Sequence, residues 1–178
     1  MAIAMLEFLE GKANPPGLQI FATDINDAIG IEQARRGFFP ESIEDTISPE
    51  RLHRYFTKEK TGYRISKAIR DLCIFAKQNI AADPPFSRMD LISCCNLLIY
   101  FTPALQRQVI STFHYALNQT GNLVLGSSET VGANSDLFEA LDRKYKIYSK
   151  RGMAVRPAGR MPPYVPVLIC TTVKKSAK

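Results

Sequence analysis

Three polar residues, Asp24, Asn79 and Asn96, each follow a short apolar run, a placement at which an α/β chain can hold a ligand. Asp24 closes the run at 18–23. A carboxylate at a strand end before a helix can accept hydrogen bonds from both hydroxyls of a ribose. It can equally be an acid that favours the dipole of the following helix. Asn79 comes after the apolar residues 72–75, where its amide or the nearby backbone can read an adenine edge or simply satisfy a turn. Asn96 ends residues 89–95, which are apolar apart from Asp90 and Ser93. That pattern suits a central parallel strand covered on both faces, and open α/β sheets take ligands outside the carboxyl ends of their strands. Tyr100 can border a reacting centre or pack at a helix start. Ser127-Ser128-Glu129 can hold a polar ligand, although serine-rich turns commonly bond their own backbone. His53 and His114 are far apart in sequence, and neither is expected to be catalytic or a metal ligand. No nucleophile-elbow motif supports a Ser/His/Asp triad.

The elements that must position these residues alternate between two periods. Ala2, Met5, Leu6 and Leu9 recur at helical spacing and are closed by Gly11, Pro15 and Pro16. Residues 18–23 read as a strand, and Asn26 caps a helix whose inward face includes Ile29 and Ala34 and whose stop is Gly37. Residues 38–45 look irregular. Ser48-Pro49-Glu50 opens a helix running through Phe56, with Ser48 as N-cap. Strands are expected at 63–65, 72–75 and 89–95. Thr102-Pro103 starts a helix lined by Leu105, Val109, Phe113 and Leu117 that stops near Gly121. A strand at 123–125, a short helix at 136–141 and a strand at 145–148 follow. Strands alternating with helices predict an α/β sandwich with a mainly parallel sheet.

Charge and composition narrow the classes of function. The chain has 178 residues, of which 46% are hydrophobic, enough for one substantial core. Its net charge of +6 comes entirely from Arg151, Arg156, Arg160, Lys174, Lys175 and Lys178. Residues 1–150 carry 17 basic and 17 acidic side chains, so a nucleic-acid surface is not expected. The stretch 151–178 has no acid and holds Pro157, Pro162, Pro163 and Pro166, and it reads as a linker or tail. No run approaches the roughly 20 apolar residues of a membrane span. The start lacks the basic flank of a secretory signal, so a cytoplasmic location without membrane insertion is expected. Cys73, Cys94, Cys95 and Cys170 show no CxxC spacing and read as small buried hydrophobes.

The runs Phe21-Ala-Thr-Asp-Ile-Asn26, Ala34-Arg-Arg-Gly37, Asp90-Leu-Ile-Ser-Cys-Cys-Asn-Leu-Leu-Ile-Tyr-Phe101 and Gly126-Ser-Ser-Glu129 together resemble the CheR family of chemotaxis-receptor glutamate methyltransferases. Pro40-Glu-Ser-Ile43, Ser48-Pro-Glu-Arg51, Pro84-Pro-Phe-Ser-Arg88 and Ser135-Asp-Leu-Phe138 are similar to the methyltransferase segment of CheB/CheR fusion proteins. The likeness covers about residues 2–150. It implies a Rossmann-like fold, mainly parallel with an antiparallel last strand, that binds S-adenosylmethionine. The implied activity is methylation of glutamate carboxylates on the cytoplasmic domains of chemotaxis receptors or other signalling proteins. Carried over by position, Asp24 would hold the ribose hydroxyls and Asn79 and Ile80 would border the adenine. Cys95 and Asn96 would form part of the cofactor wall, with Tyr100 beside the reacting methyl. A small β subdomain that can dock on receptors is expected within about 48–75. The chain departs from the family in three ways. No glycine-rich strand turn lies upstream of Asp24, so the chain is expected to be a piece starting just downstream of one. Cys95 stands where the family usually has arginine, and nothing after Arg151 resembles a sensory domain. The alternatives are a non-catalytic remnant that binds a signalling partner and, less well supported, a nucleotide-dependent oxidoreductase.

Overall fold

The protein, described by a computed structural model at residues 1–26, 30–152 and 164–170, is built around a seven-stranded sheet with a separate three-stranded sheet beside it. In chain order the elements are α1 (Ala2–Glu10), β1 (Gly17–Asp24), α2 (Glu32–Arg36), β2 (Phe38–Pro40), α3 (Pro49–Tyr55), β3 (Phe56–Glu59), β4 (Gly62–Ile65), α4 (Lys67–Asp71), β5 (Cys73–Lys77), β6 (Met89–Cys94), α5 (Pro103–Ala116), β7 (Leu117–Leu125), β8 (Phe138–Asp142), β9 (Ile147–Lys150) and β10 (Tyr164–Cys170). The large sheet runs β5-β1-β10-β6-β7-β9-β8. Its first five members are parallel, whereas β9 is antiparallel to both β7 and β8.

Burial on both faces explains why β6 holds the middle of this sheet. Ile92 and Cys94 are fully buried and Ser93 nearly so, which leaves no water-facing side. α5 covers one face with Val109, Ile110, Phe113 and Ala116. These pack with Ile92, Leu98, Leu123 and Leu125 in the main core. Its start follows from Thr102, whose Oγ1 accepts the Leu105 amide at 3.4 Å, and from Pro103, which needs no amide partner in the first turn. The helix ends at Ala116, earlier than its apolar spacing suggests. Leu117 instead opens β7, where pairing with β6 outweighs one further turn of helix.

The second face of the large sheet is covered by α1. Ala2, Met5 and Leu9 lie against Leu18, Ile20 and Val167, while Ala2, Ile3 and Leu6 meet the core under the small sheet. That sheet has the order β2-β4-β3 and is antiparallel throughout. It starts at Phe38, ahead of the expected bounds, because Phe38 and Pro40 pair with Arg64 and Gly62 on β4. α3 is fixed to α1 by Arg51 on Glu7 at 2.6 Å and Arg54 on Glu10 at 2.7 Å.

Two differences from the sequence reading have physical causes. Residues 138–142 form strand β8, not a helix, because β9 supplies an antiparallel partner. The Asp142 carboxylate holds the turn by accepting the amides of Lys144 and Tyr145. Within the stretch read as a linker, residues 164–170 form β10, since an apolar run flanked by basic residues finds two strand edges to pair with. Ile29, placed by sequence on an inward helix face, lies outside the described residues.

The carboxylates binding the small sheet and α3 carry a pH signature. The Arg51 hydrogen bond holds Glu7 below the ordinary glutamate range, the Tyr63 hydroxyl does so for Glu44, and Arg64 for Glu59. Depressed folded values mean stability that is present above the unfolded pKa of about 4.3 and is lost as pH falls through the folded values. Acid titration followed by amide exchange should therefore loosen α3 and β2–β4 before the amides of β6 and β7. Simultaneous loss of both regions would contradict this.

Candidate functional site

Strand register brings the candidate residues to one edge of the large sheet. Ala76, Thr23, Cys170, Cys94 and Leu125 are successive partners across β5, β1, β10, β6 and β7. One step further toward the carboxyl ends come Lys77, Asp24, Cys95 and Gly126, and then the turns that carry Gln78, Asn79, Asn96 and Glu129. Asp24 and Cys95 sit on strands separated by β10, about 10 Å apart at ordinary strand spacing.

Asp24 is 5% exposed. Its Oδ1 accepts the Asn26 amide at 2.7 Å, and its carbonyl accepts the Gln78 amide at 3.0 Å. A carboxylate has roughly four lone-pair sites and can accept from several donors at once. Gly30 is packed on it so closely that a Cβ there would come 3.0 Å from Asp24 Cγ. A side chain at 30 would crowd the carboxylate and require it to shift by a few tenths of an ångström.

Asn79 stands in a turn of its own making. Its Oδ1 accepts the Ala81 amide at 3.1 Å, and its own amide donates to Asp83 Oδ2 at 2.7 Å. Ile80 is half-buried against the main core. The neighbouring Gln78, not singled out from sequence, is 8% exposed and donates from Nε2 to the Pro84 carbonyl at 3.2 Å. Its Oε1 is buried with no partner among the described residues. An orphaned acceptor of this kind costs about 1–3 kcal/mol unless a ligand or water donates to it. Its sequence signal is weak, because a lone glutamine after a strand resembles any loop residue.

Glu129 organises the other wall. It is 4% exposed, and it accepts four backbone amides: Oε2 takes Asn96 at 3.1 Å and Gly126 at 2.8 Å, and Oε1 takes Leu97 at 2.9 Å and Leu98 at 2.7 Å. This explains why Asn96 can hold a left-handed φ of 59° and why the chain turns sharply after β6. At Gly126 a Cβ would lie 2.7 Å from Glu129 Oε2, so the Gly126-Ser-Ser-Glu129 run requires its glycine. Ser127 and Ser128 are exposed, while the acid in the same run does the binding, a role for which a glutamate three residues after a strand-ending glycine is a faint signal. Cys95 is half-buried, with Ser93 Oγ at 3.9 Å from its sulfur. Tyr100 ends a short 3-10 turn and is 60% exposed.

Other candidates fall elsewhere. His114 bonds the Arg151 carbonyl at 2.8 Å and meets the Phe138 ring edge-on, a structural post for the end of β9. Cys73 lies behind the rim, and burial pushes its thiol up. An apolar cavity of about 400 Å³ lies on the outer side of β5, lined by Gly30, Phe38, Phe39, Ile69, Arg70 and Phe75 among others. Asp24, Asn79, Asn96 and Tyr100 do not line it.

A mainly parallel sheet closed by an antiparallel hairpin, with the buried acid Asp24 ending the interior strand β1, is the architecture of the class of Rossmann-like S-adenosylmethionine-dependent methyltransferases. Residues 1–147 match the family described as CheR methyltransferase, SAM binding domain, and the chain belongs to that family. The family's cofactor is S-adenosylmethionine. The chain is 38% identical over 157 residues to an uncharacterized 104.1 kDa protein in the hypE 3' region of Rhodobacter capsulatus, covering 88% of this chain and 16% of that protein. It is 32% identical over 145 residues to a chemotaxis protein methyltransferase of Vibrio parahaemolyticus, covering 78% of this chain and 52% of the relative. To chemotaxis protein methyltransferase 1 of Pseudomonas aeruginosa it is 31% identical over 126 residues, covering 69% and 46%. The chain thus spans about half the length of these two methyltransferases. Among the described residues no helix is long and apolar enough to cross a membrane.

Removing the Glu129 carboxylate should orphan four amides at once. Glu129→Ala is expected to cost about 3 kcal/mol or more, read as a lower urea midpoint at unchanged m-value. Loss below about 1 kcal/mol would show that the two turns hold without it.

Proposed function

We propose that this chain is the cofactor-binding part of a protein-glutamate O-methyltransferase acting on chemotaxis receptors or related signalling proteins. The observation that carries this reading is the convergence of Asp24, Gln78 and the Cys95–Asn96 turn on one carboxyl edge of the sheet, on both sides of β10. The donor set suits S-adenosylmethionine. Asp24 offers a buried carboxylate to two ribose hydroxyls, and Gln78 Oε1 is an unpartnered acceptor for the exocyclic amine of adenine. Asn79 and Ile80 border the same base. Asn96 and Tyr100 flank the end where the methyl is delivered.

The bound cofactor supplies a methyl group on a positively charged sulfur, already activated for displacement. A substrate carboxylate oxygen forms the new bond to that carbon as the carbon–sulfur bond breaks, leaving a methyl ester and a thioether. No proton moves at the reacting atoms, so the protein's part is alignment and exclusion of water. That requirement matches a rim rich in backbone-fixed turns and free of a poised histidine. Tyr100 is exposed at the point where a receptor side chain would approach. Cys95 gives this wall a neutral thiol in place of the arginine usual in the family, removing a cation and five donors from the site. The match to a small share of a 104.1 kDa protein supports placement of this unit within larger multidomain proteins.

Calorimetric titration with S-adenosylhomocysteine tests the reading. Saturable micromolar binding is expected, weakened at least tenfold in Asp24→Ala, which removes a charged hydrogen-bond acceptor worth about 1.5–3 kcal/mol. Absence of heat and of any thermal shift would leave the non-catalytic partner-binding reading in its place.

A further inference from the structure

β10 is the last element in the described chain, yet it lies inside the sheet, third of seven strands. It pairs in parallel with β1 along its whole length, from Gly17 opposite Tyr164 to Thr23 opposite Cys170, and with β6 from Leu91 to Cys94. Doubly wound sheets of this order ordinarily give that position to their first strand. Val167 is fully buried with Leu18 and Ile20 under α1, and Leu168 is 3% exposed in the opposite core with Ile92. The strand therefore contributes to the cores on both faces of the sheet, as its neighbours β1 and β6 do.

Chain geometry permits this arrangement. β9 runs antiparallel to β7, so its end and the start of β10 lie on the same, amino edge of the parallel strands. Three strand spacings, about 14 Å, separate them. Residues 151–163 reach roughly 40 Å when extended.

Resting on the cofactor reading above, we propose that β10 is the closing strand of the cofactor rim. By docking between β1 and β6, residues 164–170 set the two-strand separation at which Asp24 and the Cys95–Asn96 turn act on one ligand. Direct pairing of β1 with β6 would halve that separation, and an unpaired slot would leave it undefined. Val167 is then a positioning residue for cofactor binding, although it lies three residues short of the rim.

The ladder supplies the test. Amide exchange on the full chain should find the Val167, Leu168 and Ile169 amides protected to the level of β6, because they lie between two strands. Val167→Ala should weaken S-adenosylhomocysteine binding at least fivefold under conditions where the chain stays folded. Val109→Ala, an equally buried truncation on α5, should leave the affinity within twofold, which a general loss of stability would not predict. Unprotected amides at 167–169, unchanged affinity in Val167→Ala, or an equal loss in Val109→Ala would overturn the proposal. Protected amides in a chain that binds no S-adenosylhomocysteine would leave the strand placement intact and overturn the cofactor reading on which the proposal rests.

Discussion

Backbone pairing at the centre of a two-faced parallel sheet is the constraint on which the rest of this molecule depends. β1 and β6 are apolar on both sides, so neither can turn an unpaired edge to water without losing hydrogen bonds and exposing core. The strand between them must satisfy two ladders and two cores at once. Val167 and Leu168, adjacent and pointing to opposite faces, meet both demands. α1 depends on the same strand, since Met5 and Leu9 rest on the face to which Val167 contributes. Through α1 the constraint reaches the small sheet, whose core takes Ile3 and Leu6 from the other side of that helix.

A second level of order is electrostatic and local to the rim. Parallel strands end with their carboxyl edges together, and each following turn leaves amides to be satisfied. Asp24 takes the Asn26 amide in the turn after β1, and Glu129 accepts four amides from the turns after β6 and β7. Burying Glu129 is tolerable because every lone-pair direction finds a donor. The acid also ties the β7 turn to the β6 turn, so Asn96 is held by a residue far from it in sequence. The surface ion pairs between α1 and α3 are of another kind. They are half-exposed, and their role is to fix the angle of the small sheet more than to stabilise the fold.

Much of the fold was legible because its cause is local. The starts of α3 and α5 follow from Ser48-Pro49 and Thr102-Pro103, whose side chains bond amides three residues on. β1 and β6 follow from apolar runs, and Asp24 and Asn96 stand out because they terminate those runs. Leu117, residues 138–142 and residues 164–170 resisted the same reasoning. In each, a strand partner distant in sequence decided the conformation: β6 for Leu117, β9 for β8, and β1 with β6 for β10.

The sequence by itself determined the class of fold, the family and the strand ends that carry the candidate residues, because period, caps and strand-ending polar groups are properties of short segments. Only the tertiary structure decided that Gln78 buries an acceptor without a partner among the described residues, that Glu129 and not its serine neighbours organises the second wall, and that a basic, proline-containing stretch supplies an interior strand. The physical reason is common to all three. A buried acceptor, a multiply bonded carboxylate and a two-sided strand are defined by partners that the fold brings together, and those partners leave no pattern in the local sequence.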